Sequence, residues 1–191
     1  HMFTLKNKYF LIIESIKDIN LKKIKKHNKF NIIYRSEIIK DEINELIQFR
    51  RLCKSKKIKF YVANDLKLCV LIKSDGIYLS SYNRSFRHLN LKKLNFNIIG
   101  SAHNFKEINL KSKQECDYIL LSKLFMVAYD RQSPFLGILK YSKYLHEINK
   151  KLIPLGGINS NNLNNLNVLN CIGFALMSEV KKKPAIIDRL F

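Results

Sequence analysis

Short apolar runs alternate along this chain with longer stretches whose apolar positions recur at helical spacing. Runs rich in Ile, Leu, Val, Phe and Tyr suit strands buried on both faces, as in a parallel sheet. The first is Tyr9–Glu14, followed by Phe30–Tyr34, Lys59–Ala63 and Gly76–Leu79. Asn97–Gly100, Tyr118–Leu121, Leu152–Leu155 and Gly173–Met177 complete the set. Between them the spacing predicts helices over Ile19–Lys26, Lys40–Lys54, Leu66–Lys73, Phe105–Lys113, Leu136–Asn149 and Asn161–Leu169, with a last helix over Pro184–Leu190. Eight strands alternating with helices is the count of a closed (β/α)8 TIM barrel, an α/β fold. At 191 residues the expected barrel is a small version, below the roughly 250 residues usual for the fold. Residues 3–191 are expected to form one domain, His1-Met2 being read as a cloning remnant.

Two strand ends suggest chemistry. Leu152-Ile153-Pro154-Leu155 runs into Gly156-Gly157-Ile158-Asn159, and Gly173-Phe174-Ala175-Leu176-Met177 runs into Ser178. Glycines at a strand end let backbone N–H groups approach an anion, and a helix opening just after them adds its own donors. In a (β/α)8 barrel the loops after the seventh and eighth strands are where a phosphate is held. A Gly pair is also ordinary punctuation between strand and helix.

The charge changes this picture little. The net charge is +20 and the pI about 9.9, which raises nucleic acid as a partner. The excess is almost all Lys, in pairs such as Lys22-Lys23, Lys56-Lys57 and Lys150-Lys151, without interleaved aromatics. Joint enrichment in Lys, Ile and Asn is what an AT-rich coding genome produces, so nucleic-acid binding is disfavoured. No apolar run approaches the roughly 18 residues of a membrane span, and no signal-peptide pattern precedes Tyr9. The isolated cysteines Cys53, Cys69, Cys116 and Cys171 read as reduced thiols, mostly in the core, of a cytoplasmic protein. His27, His88 and His146 read as solvated, and His103 as a loop histidine beside Ser101. A homo-oligomer stays open.

Taken in order, the strand ends resemble the thiamine phosphate synthase / TenI (thiazole tautomerase) family. The resemblance rests on Arg35, Arg50-Arg51-Leu52-Cys53, Val62-Ala63-Asn64-Asp65 and Asp75-Gly76-Ile77-Tyr78-Leu79. It continues through Gly100-Ser101-Ala102-His103-Asn104, Asp117-Tyr118-Ile119, Ser122-Lys123-Leu124-Phe125, Pro154–Asn159 and Ser178. It implies an enzyme that joins an aminopyrimidine pyrophosphate to a thiazole phosphate with Mg²⁺, releasing pyrophosphate. Carried over by position, Arg35 would contact pyrophosphate, Asn64 and Asp65 the pyrophosphate and Mg²⁺, and Ser101 the pyrophosphate or pyrimidine. Gly156, Gly157 and Ser178 would hold the thiazole phosphate.

The departures fall on one half of that site. Ile33 and Glu37 stand where the family has Gln and Lys, Tyr78 replaces a His, and Asn83 replaces the second metal carboxylate. The loop after the sixth strand has Val127, Tyr129 and Asp130 in place of two Thr and a Lys, so Arg131 or Lys123 would have to supply the missing cation. Lys123 also stands near the position of the TenI branch's catalytic His. Asp65 has a plainer reading as a helix N-cap. Two alternatives to the synthase therefore stay open: a TenI-like tautomerase, and a catalytically degenerate barrel that binds a phosphorylated metabolite.

Overall fold

A computed structural model describes residues 8–24, 27–38, 40–92, 95–127, 130 and 132–177. Ser178, Arg131 and the helix expected over Pro184–Leu190 lie outside the described residues. Eight parallel strands close on themselves in sequence order: β1 (Lys8–Ile13), β2 (Phe30–Tyr34), β3 (Lys59–Ala63), β4 (Gly76–Leu79), β5 (Asn97–Ala102), β6 (Tyr118–Ser122), β7 (Leu152–Leu155) and β8 (Gly173–Leu176). The first strand completes the ring by pairing with both β2 and β8.

Alternation along each strand sorts the core into two layers. Phe10, Ile12, Ile33, Tyr61, Tyr78, Ile99, Leu120, Ile153, Leu155 and Ala175 fill the lumen. Tyr9, Leu11, Ile13, Ile32, Phe60, Val62, Ile98, Leu121 and Phe174 face outward into the core beneath the helices. Helices α1 (Ile43–Ser55), α2 (Leu66–Leu71), α3 (Leu89–Lys92), α4 (Phe105–Lys113) and α5 (Gly137–Glu147) follow β2 to β6, one after each strand.

Three connections differ from expectation. The described part of the helix expected over Ile19–Lys26, Ile19–Ile24, is no α-helix: two 3-10 turns, Ile16–Asp18 and Leu21–Lys23, flank an extended Ile19. Ser15 and Asn20 each accept a bond from an N–H two residues on, which restarts the chain before a full turn can propagate. Asn161–Leu169 is likewise a 3-10 stretch, Leu163–Val168. Its Asn side chains bond local backbone, Asn162 accepting from the Asn159 N–H and Asn159 from the Asn161 N–H. The short helix α3 had no counterpart in the pattern.

The N-terminal end of the barrel is tied by carboxylates that precede strands. Asp75 accepts from the Phe60 N–H at 2.8 Å and pairs with the Arg50 guanidinium at 2.9 Å, while Arg50 Nε reaches the Lys73 carbonyl. Asp117 does the same for the Ile98 N–H at 2.8 Å. Arg50, part of the resemblance, thus anchors α1 far from the barrel mouth. Asp75→Asn keeps the shape and loses the charge; unfolding in urea should show a loss of about 1–2 kcal/mol, since the carboxylate is partly exposed. An unchanged urea midpoint would mean that the pair contributes nothing.

Candidate active site

The C-terminal ends of the strands place the chemistry-bearing side chains at one mouth of the barrel. Arg35 continues the lumen-facing side of β2, two residues past Ile33, and lines a cavity of about 330 Å³ with Ile12, Glu14, Glu37 and Met177. No carboxylate lies within salt-bridge distance of Arg35 among the described residues; its Nη1 meets the Met177 sulfur at 4.0 Å. Arg35 and Glu37, two residues apart, form no salt bridge. Ser101 is buried on β5 beside the phenol of Tyr78. Burial pushes the Tyr78 phenol above its ordinary pKa, while Ser101 and the Arg35 charge work the other way. Arg35, Tyr78 and Ser101 thus stand near one another at the mouth.

The Gly156-Gly157 turn has an unexpected second duty. Gly156 (φ 95°) and Gly157 (φ 69°) both adopt the left-handed conformation that glycine tolerates. A Cβ on Gly157 would lie 2.5 Å from the Met126 carbonyl oxygen and 2.6 Å from that of Phe125. The glycines thus let the loop after β6 lie against this turn. Leu124 N–H donates to the Leu155 carbonyl and Phe125 N–H to that of Gly156, while Asn159 and Asn162 donate to the carbonyl of Gly157. In a trans peptide the next N–H points opposite to the carbonyl. The N–H groups of Gly156 and Gly157 accordingly face away from the loop, and that of Ile158 away from the two Asn amides. None of the three meets an acceptor among the described residues.

Lys123 lies beside this turn, its Cα 3.1 Å from where a Gly156 Cβ would stand. Its ammonium is bonded to Asp130. That contact, with help from Ser133, holds the Asp130 carboxyl below the usual carboxylate range. The two charges that looked mismatched in sequence neutralise each other.

Asn64 and Asp65 lie elsewhere. The left-handed backbone at Asn64 (φ 59°) ends the strand alternation and turns Asp65 into the N-cap of α2, its Oδ1 accepting from the Leu68 N–H at 2.9 Å. Both line a 620 Å³ cavity with Asn83, separate from the mouth cavity but sharing Ser36 and Glu37 with it. Asn64 Oδ1 accepts from the Ser80 N–H and from Asn83 Nδ2, both at 3.0 Å, and Asn64 Nδ2 donates to the Ser80 hydroxyl at 2.7 Å. The Asn83 amide oxygen is turned onto the Ser85 N–H. As the expected metal pair, Asp65 and Asn83 thus offer one carboxylate already used as a cap and an amide oxygen already engaged. No group of three His, Cys, Asp or Glu side chains converges among the described residues. This donor set does not fit a resident Mg²⁺, which needs near-octahedral oxygen ligands.

Two residues that sequence reasoning passed over, Lys111 and Gln114, and one that it misread, His88, hold this region. Lys111 is fully buried, as is Gln114, and His88, expected to be solvated, is only 2% exposed with its Nε2 bonded to the Gln114 carbonyl. Burial pushes the Lys111 ammonium down to about 8 against the opposing influence of Cys116 and Glu107. His103, by contrast, is exposed and bonded to Glu107 in the first turn of α4.

The sequence matches the thiamine monophosphate synthase (TMP-TENI) family over residues 25–180. The chain belongs to the thiamine monophosphate synthase family. A thiamine-phosphate synthase of Prochlorococcus marinus subsp. pastoris is 31% identical to this family member over 65% of the chain and 36% of that protein. One from Geobacillus thermodenitrificans is 26% identical over 72% of the chain and 63% of that protein. The chain therefore spans about a third to two thirds of the length of these relatives. A putative thiamine-phosphate synthase 2 of Aquifex aeolicus is 27% identical, covering 83% of the chain and 86% of its own length. Among solved structures, a thiamine phosphate pyrophosphorylase from Pyrococcus furiosus superposes with a TM-score of 0.70 at 16% identity, covering 97% of each chain. A 3-hexulose-6-phosphate synthase from Salmonella typhimurium follows at 0.66 and 11%. These last two likenesses show the barrel alone. Within the family this chain is a diverged member. Among the described residues no helix is long and apolar enough to cross a membrane.

Proposed function

We propose that this chain joins an aminopyrimidine pyrophosphate to a thiazole phosphate, forming thiamine phosphate and releasing pyrophosphate. The observation that carries this reading is the Gly156–Ile158 turn: the carbonyls of Leu155, Gly156 and Gly157 are tied back, and the N–H groups of Gly156, Gly157 and Ile158 meet no acceptor among the described residues, which leaves them for a phosphate. The reaction breaks the C–O bond to pyrophosphate and forms a C–N bond to the thiazole nitrogen. The protein must hold both substrates in line and stabilise charge on the leaving group. Arg35, which no carboxylate neutralises among the described residues, supplies a cation at the mouth, and Ser101 and Tyr78 supply hydroxyl donors beside it. Lys123 would serve the pyrophosphate only by leaving Asp130. Mg²⁺, on this reading, arrives as part of the pyrophosphate substrate and not as a resident ion.

The Lys123–Asp130 pair and the engaged Asn83 oxygen favour one second reading, a sibling that acts on the thiazole phosphate alone. Turnover decides between them. The protein is given both substrates with Mg²⁺, and thiamine phosphate is read by fluorescence after oxidation. The synthase reading expects product, and Arg35→Ala should lower kcat/KM about ten- to a hundredfold. Absence of product with thiazole phosphate still bound would overturn it in favour of the sibling.

A further inference from the structure

We propose that Lys111 is a positioning residue: with Gln114 it clamps the Ser80–Ser85 backbone from beneath and so fixes where Asn64 and Asn83 stand beside Asp65. What those residues do once placed rests on the synthase reading; the clamp itself rests on geometry.

A lysine without any accessible surface is rare, because stripping its ammonium of water is costly unless every donor is satisfied. Here all three are. Nζ donates to the carbonyls of Ser80 at 2.7 Å and Asn83 at 2.8 Å, and to Gln114 Oε1 at 2.9 Å. None of these acceptors is a carboxylate, so the cation is spent on orienting two loop carbonyls. Its path is built into β5. A Cβ on Gly100 would come within 2.8 Å of Lys111 Cδ and 2.9 Å of Cγ, so the missing side chain opens the slot through which the stem passes.

Gln114, one turn further on, doubles the grip. Its Nε2 donates to the Asn83 carbonyl at 3.1 Å and to that of Ser85 at 2.7 Å. The opposite side of the same loop carries the Ser80 and Asn83 bonds to Asn64 described above. Anchor and site are thus two faces of one short segment. Packing alone does not call for a lysine here, since an apolar side chain would fill the slot without desolvating a charge.

The test uses Lys111→Met, which keeps the stem and removes the donors, and Gln114→Leu, which removes two loop bonds and one of the three acceptors of the Lys111 ammonium. Arg84 and Arg87 are exposed within or next to the clamped loop, so trypsin reports its order directly. Lys111→Met should be cut after Arg84 at least about tenfold faster than the parent under native conditions, because cleavage follows the open population. In turnover, the KM for the aminopyrimidine pyrophosphate should rise about tenfold while that for the thiazole phosphate, whose turn lies on β7, stays unchanged. Unchanged Arg84 cleavage in both variants would overturn the clamp, and so would a parallel rise of both KM values, which signals general loss of structure. If Lys111→Met does not fold, Gln114→Leu decides by the same readouts. If the parent shows no turnover, the synthase reading fails and proteolysis still judges the clamp.

Discussion

Gly173→Ala is expected to destabilise the barrel by more than about 4 kcal/mol, a large share of the 5–15 kcal/mol that hold an ordinary domain together. The reason is local. A Cβ at this position would lie 1.8 Å from the Lys8 carbonyl oxygen, 2.7 Å from its carbon and 2.8 Å from its nitrogen. All three are backbone atoms of β1, so no side chain can rotate aside. Lys8 and Gly173 are register partners at the seam where the last strand meets the first, and the Lys8 N–H bonds the Ile172 carbonyl at 2.8 Å. Relief requires the two strands to separate by more than an ångström there, which breaks the ladder that closes the ring. Gly76 repeats the arrangement between β4 and β5, its Cβ position 2.0 Å from the Asn97 carbonyl oxygen. Thermal unfolding of both variants checks the claim: for a chain of this size the melting temperature should fall by more than roughly 8 °C, or the cooperative transition should vanish. A Gly173→Ala protein melting within a degree or two of the parent would show that the seam is not packed this way.

The barrel could be read from the chain because each strand is buried on both faces. A parallel strand covered by lumen and helix must be apolar throughout, so Phe10–Ile13 and Ile119–Leu121 stand out as runs without needing any periodicity. The connections were less legible. Ile19–Lys26 has helical spacing, yet the caps at Ser15 and Asn20 override it with bonds no hydrophobic pattern reports. The site divides in the same way. Arg35 and Ser101 could be placed because strand ends fix their direction. Asp65 was legible as a helix N-cap, which it is, but the left-handed turn at Asn64 that carries it away from the Arg35 side of the mouth was not. Lys111 was invisible for a different reason: on a helix surface rich in lysine, one buried member carries no compositional mark. The only trace is its place three residues after the buried Ile108, on the inward stripe of α4.

Gly157→Ala should strike stability and phosphate binding together. The left-handed backbone costs a non-glycine residue about 1 kcal/mol, and the Cβ would be driven into two backbone carbonyls, those of Phe125 and Met126. The expected total is about 3 kcal/mol, or a fall in melting temperature of roughly 6–12 °C. Gly156→Ala should be milder despite its φ of 95°, because its nearest neighbours, Lys123 Cα and Cβ, lie at 3.1 and 3.2 Å and the loop need yield only a few tenths of an ångström. The functional consequence follows from how the turn is held. Pushing Phe125 away strains its N–H bond to the Gly156 carbonyl, and that bond is what keeps the Gly157 N–H facing away from the loop. Losing one aimed donor and loosening its neighbours should weaken thiazole phosphate binding more than about a hundredfold by calorimetric titration. Binding and stability must therefore be measured side by side, well below the variant's melting temperature. If Gly157→Ala melts early yet binds thiazole phosphate as the parent does, the glycine serves the loop contact alone and the phosphate is held elsewhere.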